Sequence, residues 1–410
     1  MNRETERLYQ KREKRVFDAI QLKVPDRVPV STGFAYFPAK FAGVSARDAF
    51  YDYPKWREAY KKTVLHYEPD TFRLVGNESG RAMEIIESKQ ILWPGYRLSP
   101  NHSHQFVEGE YMKEDEYELF LNDPSDFLIR CYLPRVYGAL APLEKLPPLR
   151  TLLGPLPYTH FITPEFNHMY ERVVKTARES VAWREEIRAF AREIRDLGFP
   201  CYGMFGGNAP FDVISDRLRG MRGTMLDMYR RPDELLEACK MVLPWQSEHL
   251  GIMARTSGEN MVFIALHRGA DGFMSLKQFE RFYWPTLKKH VENVVNTGLT
   301  PCIFFEGDYT SRLEYLLELP RGKVLGQFDS SDIVRTKEVL GNHMCIMGNV
   351  PSSLLQMGSV QDVKDHCKWL IDVVGKNGGF IMHPRSAIDE VKPENLKAMF
   401  DFTKEYGRYS

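Results

Sequence analysis

The feature that most limits the fold of this chain is a recurring unit: a short apolar run, a turn, then a longer amphipathic stretch. The apolar runs are Arg27–Ser31, Thr71–Val75, Phe199–Phe205, Met261–Leu266, Thr300–Phe305, Lys323–Phe328, Met344–Met347 and Gly379–Met382. Strands separated by helical stretches pair in parallel, because the chain must cross over a helix before it can lie beside the previous strand. Eight such units are the number that closes a (β/α)8 barrel. The expected fold is therefore α/β, a single TIM barrel spanning residues 1–410. Residues 1–24 form an N-terminal helical extension. Residues 88–161 fit no βα unit: they hold Trp93-Pro94-Gly95, an acidic run Glu114–Glu118 and a proline-rich stretch from Pro142 to Pro157. They read as a partly helical insertion after the second strand that caps the barrel mouth.

Helix ends are marked in several places. Ser275 with Gln278 three residues later forms a capping box. The helix it opens carries Phe279, Phe282, Tyr283, Leu287, Val291 and Val294 at helical spacing and ends at Gly298. Pro285 inside that run predicts a kink or a break. A last helix starts at Pro393, turns Leu396, Met399 and Phe402 inward and closes at Gly407.

Composition removes several classes of function. Lys and Arg total 55 and Asp and Glu total 55, so no charge excess marks a nucleic-acid or anionic-membrane surface. No run approaches the roughly 18 apolar residues of a membrane span. Met1 to Arg15 is charged and lacks the apolar core of a signal peptide. The six cysteines form no CxxC pair and read as reduced thiols of a cytoplasmic protein.

In a parallel barrel the chemistry lies at the C-terminal ends of the strands. Those ends read Gly76-Asn77-Glu78, Gly206-Gly207-Asn208, His267-Arg268-Gly269-Ala270-Asp271, Glu306-Gly307-Asp308, Asp329-Ser330-Ser331-Asp332, Gly348-Asn349 and His383-Pro384-Arg385-Ser386. Such loops also supply helix caps, so position alone does not make a residue catalytic.

Pro25-Asp26-Arg27-Val28-Pro29-Val30 resembles the opening of uroporphyrinogen decarboxylase-like proteins. So does the series Gly348-Asn349-Val350-Pro351, Leu354-Leu355, Gly358, Gly378-Gly379-Phe380-Ile381 and Pro393-Glu394-Asn395. The resemblance covers most of residues 15 to 407 and implies the same (β/α)8 barrel. It implies one of two branches: the haem-pathway decarboxylase, or methyltransferases that serve corrinoid proteins and thiols. In the first branch an arginine-rich loop follows the first strand and holds a polycarboxylate. Here that loop is Thr32-Gly33-Phe34-Ala35-Tyr36-Phe37-Pro38, with no arginine before Arg47. In the thiol-directed branch a His-x-Cys and a later Cys hold zinc. Aligned on Gly307-Asp308 and Gly379–Pro384, those positions are Phe304, Glu306 and Ser386, so a zinc-thiolate site is not expected.

The resemblance then implies an O-demethylase of methoxylated aromatics. It would pass a methyl group to the cob(I)alamin of a partner corrinoid protein, forming methylcobalamin there. Such chemistry needs an aromatic pocket and an acid or electrophile for the leaving phenolate. Phe34, Tyr36, Phe205, Asn208, Phe305 and Tyr309 are the expected substrate contacts, and Glu306, His267, Asp308 and Asp329 the expected catalytic groups. Glu306, His267 and His383 together could hold Zn²⁺ with an open position. His102 and His104 have a spacing that suits metal only on a strand. The alternatives are a decarboxylase of a small organic acid and a non-catalytic ligand- or corrinoid-docking barrel. The expected partners are thus a corrinoid-binding protein and a small aromatic methyl donor. Dimers are common in the superfamily, and the neutral charge would not oppose one.

Overall fold

Parallel pairing carries the chain around a ring. The computed structural model describes residues 2–74, 76–204 and 206–409. Its strands are β1 (Ser31–Gly33), β2 (Thr71–Arg73), β3 in two pieces (Cys201–Tyr202 and Gly206–Asn208), β4 (Met261–Leu266), β5 (Thr300–Phe305), β6 (Leu325–Phe328), β7 (Cys345–Met347) and β8 (Phe380–Ile381). β1 pairs with β2 and β2 with the first piece of β3, while the second piece of β3 leads through β4 to β8, all in parallel. The ring returns to its start through a parallel bridge between Val30 and Met382. There the Ser31 N–H donates to the Met382 carbonyl and the Met382 N–H to the Pro29 carbonyl, both at 2.9 Å. The first strand is shorter than its apolar run because Pro29 has no N–H to give a ladder. Val75 and Phe205, at the ends of two expected strands, lie outside the described residues.

Side chains alternate between the two faces of a strand, so one register fixes what fills the barrel. Tyr202, Met261, Cys302, Leu325, Cys345 and Ile381 pack together inside it, against Val16, Ala19 and Ile20 of the N-terminal helix Arg3–Ile20. That helix closes the N-terminal end of the barrel with an apolar stripe. Two residues further along, the same parity points Phe263, Phe304 and Gln327 inward. Beyond the ladders it does the same for His267, Glu306 and Asp329 at the mouth. The opposite parity sends Phe305 and Phe328 outward, where their rings stack at 4.7 Å in the layer between sheet and helices.

The helix signals appear where the sequence puts them. Ser275 and Gln278 make the capping box. A wide turn, Phe279–Tyr283, then interrupts the helix, and Trp284–Asn296 restarts it with Pro285 in its first turn, where a missing N–H costs nothing. The final helix is Pro393–Tyr406 with Gly407 after it. The segment after β2 holds a short antiparallel pair, Ile91–Leu92 with Gln105–Phe106, and several brief helical turns. It runs into the long helix Pro164–Asp196. It is tied to the loops that follow β1 and β3: the Leu218 carbonyl accepts from the N–H groups of Tyr111 (2.7 Å) and Met112 (2.8 Å), and Tyr36 Oη bonds His104 Nδ1 at 2.6 Å. Both loops sit at the C-terminal ends of strands. Among the described residues no helix is long and apolar enough to cross a membrane.

Candidate active site

The mouth of the barrel holds a cavity of about 160 Å³ lined by Gly33, Arg73, Phe263, Phe304, Gln327, His383, Ser386 and Ala387. Residues from β1, β2, β4, β5, β6 and the loop after β8 meet there because the strands close on one another. Phe263 and Phe304 stack with centroids 6.1 Å apart. The Arg73 guanidinium lies over the Phe263 ring, 4.0 Å from its centroid. The Gln327 side-chain amide donates to the Arg385 carbonyl at 3.3 Å.

His383 is fully buried, and burial pushes its pKa down to about 4, so it is neutral at pH 7. Its Nδ1 bonds the Pro384 carbonyl, an acceptor only, so Nδ1 carries the proton and Nε2 is an acceptor. Burial likewise holds His290, on the β4–β5 crossover helix Trp284–Asn296, at about 4. Its Nδ1 meets Ser247 Oγ at 3.0 Å. Both imidazoles must take up a proton on unfolding at mildly acid pH. Their contribution is complete above about 6.5 and is lost as pH falls toward 4, on the order of 3 kcal/mol each. Urea unfolding of His290→Leu should therefore show a smaller loss of stability between pH 7 and pH 4.5 than the unchanged chain. An identical acid limb would show that His290 does not carry it.

Above the cavity stands an acid–base chain. His267 Nδ1 bonds a carboxylate oxygen of Asp216, and His267 Nε2 faces Glu306 Oε2 at 3.7 Å. Burial alone would lower the pKa of His267, but the hydrogen bond it donates to Asp216 and the charges of Asp212, Asp216 and Glu306 outweigh it and raise the value. Asp216 is itself desolvated, yet His267, Arg268 at 3.2 Å and Ser215 hold it below the usual carboxylate range. Asp212, in the short helix Pro210–Val213 after β3, anchors the arrangement. Its buried carboxylate accepts from the N–H groups of His267 (2.8 Å) and Arg268 (3.0 Å) and from Tyr283 Oη (2.7 Å). Burial, with the nearby charge of Asp216, pushes its pKa up to about 6.

The sequence of this chain matches a known family model. The model for uroporphyrinogen decarboxylase (URO-D) fits residues 152–406. The chain belongs to the uroporphyrinogen decarboxylase family. Its sequence is 23% identical over 236 residues to a uroporphyrinogen decarboxylase of Syntrophotalea carbinolica, covering 56% of this chain and 66% of that relative, just under two thirds of its length. Its fold is similar to that of a methyltransferase from Methanosarcina mazei, with a TM-score of 0.62 at 17% identity over 96% of this chain and 98% of the other.

Within this URO-D barrel the expected site residues separate into two groups. His267 and Glu306 come together at the mouth. Asp329 joins them through the Gly307 N–H, which donates to its carboxylate at 3.2 Å. Asn208 sits on β3 beside Ala265, on the inward parity. The others are placed elsewhere. The Asp308 carboxylate bends back onto the Thr310 N–H at 2.8 Å and so serves a turn. Phe34 is buried among Tyr60, Tyr67 and Phe72. Phe305 and Tyr309 pack on each other at 5.1 Å, both wholly buried outside the barrel. Tyr36 lines a separate open pocket of about 590 Å³ with Lys40, His102, Ser103 and Asp389. Phe205 lies outside the described residues.

The metal set does not assemble. His383 lies among the cavity-lining groups with its Nδ1 on a backbone carbonyl, whereas His267 is engaged by Asp216 and faces Glu306. Among the described residues no three His, Cys, Asp or Glu side chains are grouped as a metal would require. Phe304 and Ser386, aligned with two zinc ligands of the thiol-directed relatives, do line one cavity, but a phenyl ring and a hydroxyl replace the ligands. The residues present do not fit a resident zinc. Arg73, Phe263, Gln327, Asp212 and Asp216 were not marked by the sequence. Period-2 counting back from Glu306 to Phe304 was one available signal for the cavity wall, beside the alignment that marked Phe304 and Ser386.

Proposed function

We propose that this chain is a methyltransferase that demethylates a methoxylated aromatic compound and passes the methyl group to the cobalt of a corrinoid carried by a partner protein. The observation that carries this reading is the stacked pair Phe263 and Phe304, walling a cavity of about 160 Å³ beneath the Glu306–His267–Asp216 chain. An apolar cavity of roughly 150 Å³ is large enough for a benzene ring. The loop after β1 carries no arginine before Arg47, which speaks against a polycarboxylate such as a porphyrinogen.

The partner's reduced corrinoid would supply the nucleophile for the methyl carbon. As the methyl–oxygen bond breaks, the oxygen keeps the bonding electrons and needs a proton or a positive charge. Glu306 stands two residues above Phe304 on the same face, about 7 Å along the strand. His267 beside it is biased toward its protonated form by Asp216. Its Nε2–H can give the ring oxygen its proton, and a positioned acid contributes about 10²–10⁴-fold. All six cysteines are unpaired, which fits a reducing, cytoplasmic setting.

The test is methyl transfer from a methoxybenzene derivative to reduced cobalamin, followed by the change in the corrinoid absorption spectrum. No spectral change with any of a set of methoxyarenes, in the presence of a corrinoid protein, would count against the proposal. Arg73 in the cavity favours a second reading, a decarboxylase of a small organic acid. That reading predicts carbon dioxide release with no corrinoid present.

A further inference from the structure

We infer that Arg73 selects the substrate: the cavity takes a single aromatic ring bearing one carboxylate. The inference rests on the proposed aromatic substrate and narrows its class.

Arginine in a folded interior is normally tied to carboxylates or carbonyls, because a desolvated guanidinium without partners is costly. Several arginines of this chain follow that rule. Arg15 is bound to Asp26 and Asp70, Arg27 to Asp70, and Arg219 to Asp227 and Glu110. Arg73 does not. Among the described residues its guanidinium makes no ion pair or hydrogen bond, and its contact is with the Phe263 face at 4.0 Å. Stacking of this kind leaves the in-plane N–H donors of the fork free.

The surroundings are shaped for this side chain. A Cβ at Gly203 would lie 2.6 Å from Arg73 Cγ, and Gly203 has φ +79°, so the break in β3 falls where the arginine stem passes. A Cβ at Gly33 would lie 3.8 Å from Arg73 Nε. No acidic side chain lines the cavity, and its histidine, His383, is neutral with Nε2 as an acceptor. The cavity therefore holds one uncompensated positive charge beside two aromatic faces. One fork matches one carboxylate in a bidentate pair, and a polyanion would need several. The balanced net charge of the chain does not bear on this, since net charge describes the whole surface and not a single cation lining one cavity.

Benzoate is the probe, because it has the ring and the carboxylate but no methyl group to transfer. Calorimetric titration of the whole chain should show benzoate binding at least tenfold tighter than anisole at pH 7. Arg73→Met, which keeps an apolar stem over Phe263, should weaken benzoate about 10- to 100-fold and change anisole by less than about threefold. Equal affinity of the unchanged chain for the two rings would overturn the inference, and that comparison does not depend on the variant folding. So would an unchanged benzoate affinity in a folded Arg73→Met. Tight benzoate binding without any methyl transfer would overturn the proposed reaction and leave the role of Arg73 standing. Methyl transfer from neutral ethers only would do the reverse.

Discussion

Replacing His267 with glutamine is expected to lower methyl transfer from a methoxylated ring by about 100-fold or more, with the fold retained. The side chain is one-third exposed at the mouth and makes its bonds to Asp216 and toward Glu306, so its loss opens no core cavity. Its backbone N–H still reaches Asp212. Glutamine can keep a hydrogen bond to Asp216 but has no proton to give at neutral pH. Steady-state rates beside a thermal unfolding curve would separate lost chemistry from lost structure. A rate within about threefold of the unchanged chain would place the acid elsewhere. A companion change sharpens the test. Asp216 helps hold the His267 pKa up, so Asp216→Asn should lower it, and the protonated form is then lost at lower pH. The alkaline limb of the rate profile should shift toward acid by a unit or so, an effect that no purely structural role of Asp216 would produce.

The second large effect is on stability. Asp212→Ala should cost about 3–5 kcal/mol, because three donors lose their acceptor at once in a site without solvent. The two N–H groups of His267 and Arg268 are held by the end of β4 and cannot turn away, and Tyr283 is wholly buried. Asp212→Asn keeps one oxygen and should cost less than the alanine change. Urea unfolding at pH 7 reads both, and a loss below about 1 kcal/mol for alanine would mean that water replaces the carboxylate. Since Asp212 also fixes the start of the His267 loop, the asparagine variant should lose activity out of proportion to its stability.

Part of this molecule is legible in its residues alone because it depends on neighbours along the chain. Alternation of strand and helix, the Ser275–Gln278 cap, the break before Pro285 and the final helix after Pro393 are all settled within a few residues. Glu306 and His267 were visible for the same reason, since a strand followed by a polar turn puts its last inward residue at the rim. For Phe305 the deciding factor is parity. Phe305 and Phe304 are adjacent, and a shift of one residue moves a ring from the barrel interior to the helix layer. Asp308 looked like its neighbour Glu306 but is spent on a turn.

What only the closed barrel decided is which distant residues share a space. Arg73 on β2 meets Phe263 on β4 because β3 breaks at Gly203, and Gln327 and His383 reach the same cavity only through the register of β5 to β8. The sequence by itself determined the kind of fold and the rim of the site, through local periodicity and turn chemistry. The charge and shape of the cavity came from tertiary structure, because a lone guanidinium is defined by the partners it lacks, and those are set by the packing of strands far apart in the chain.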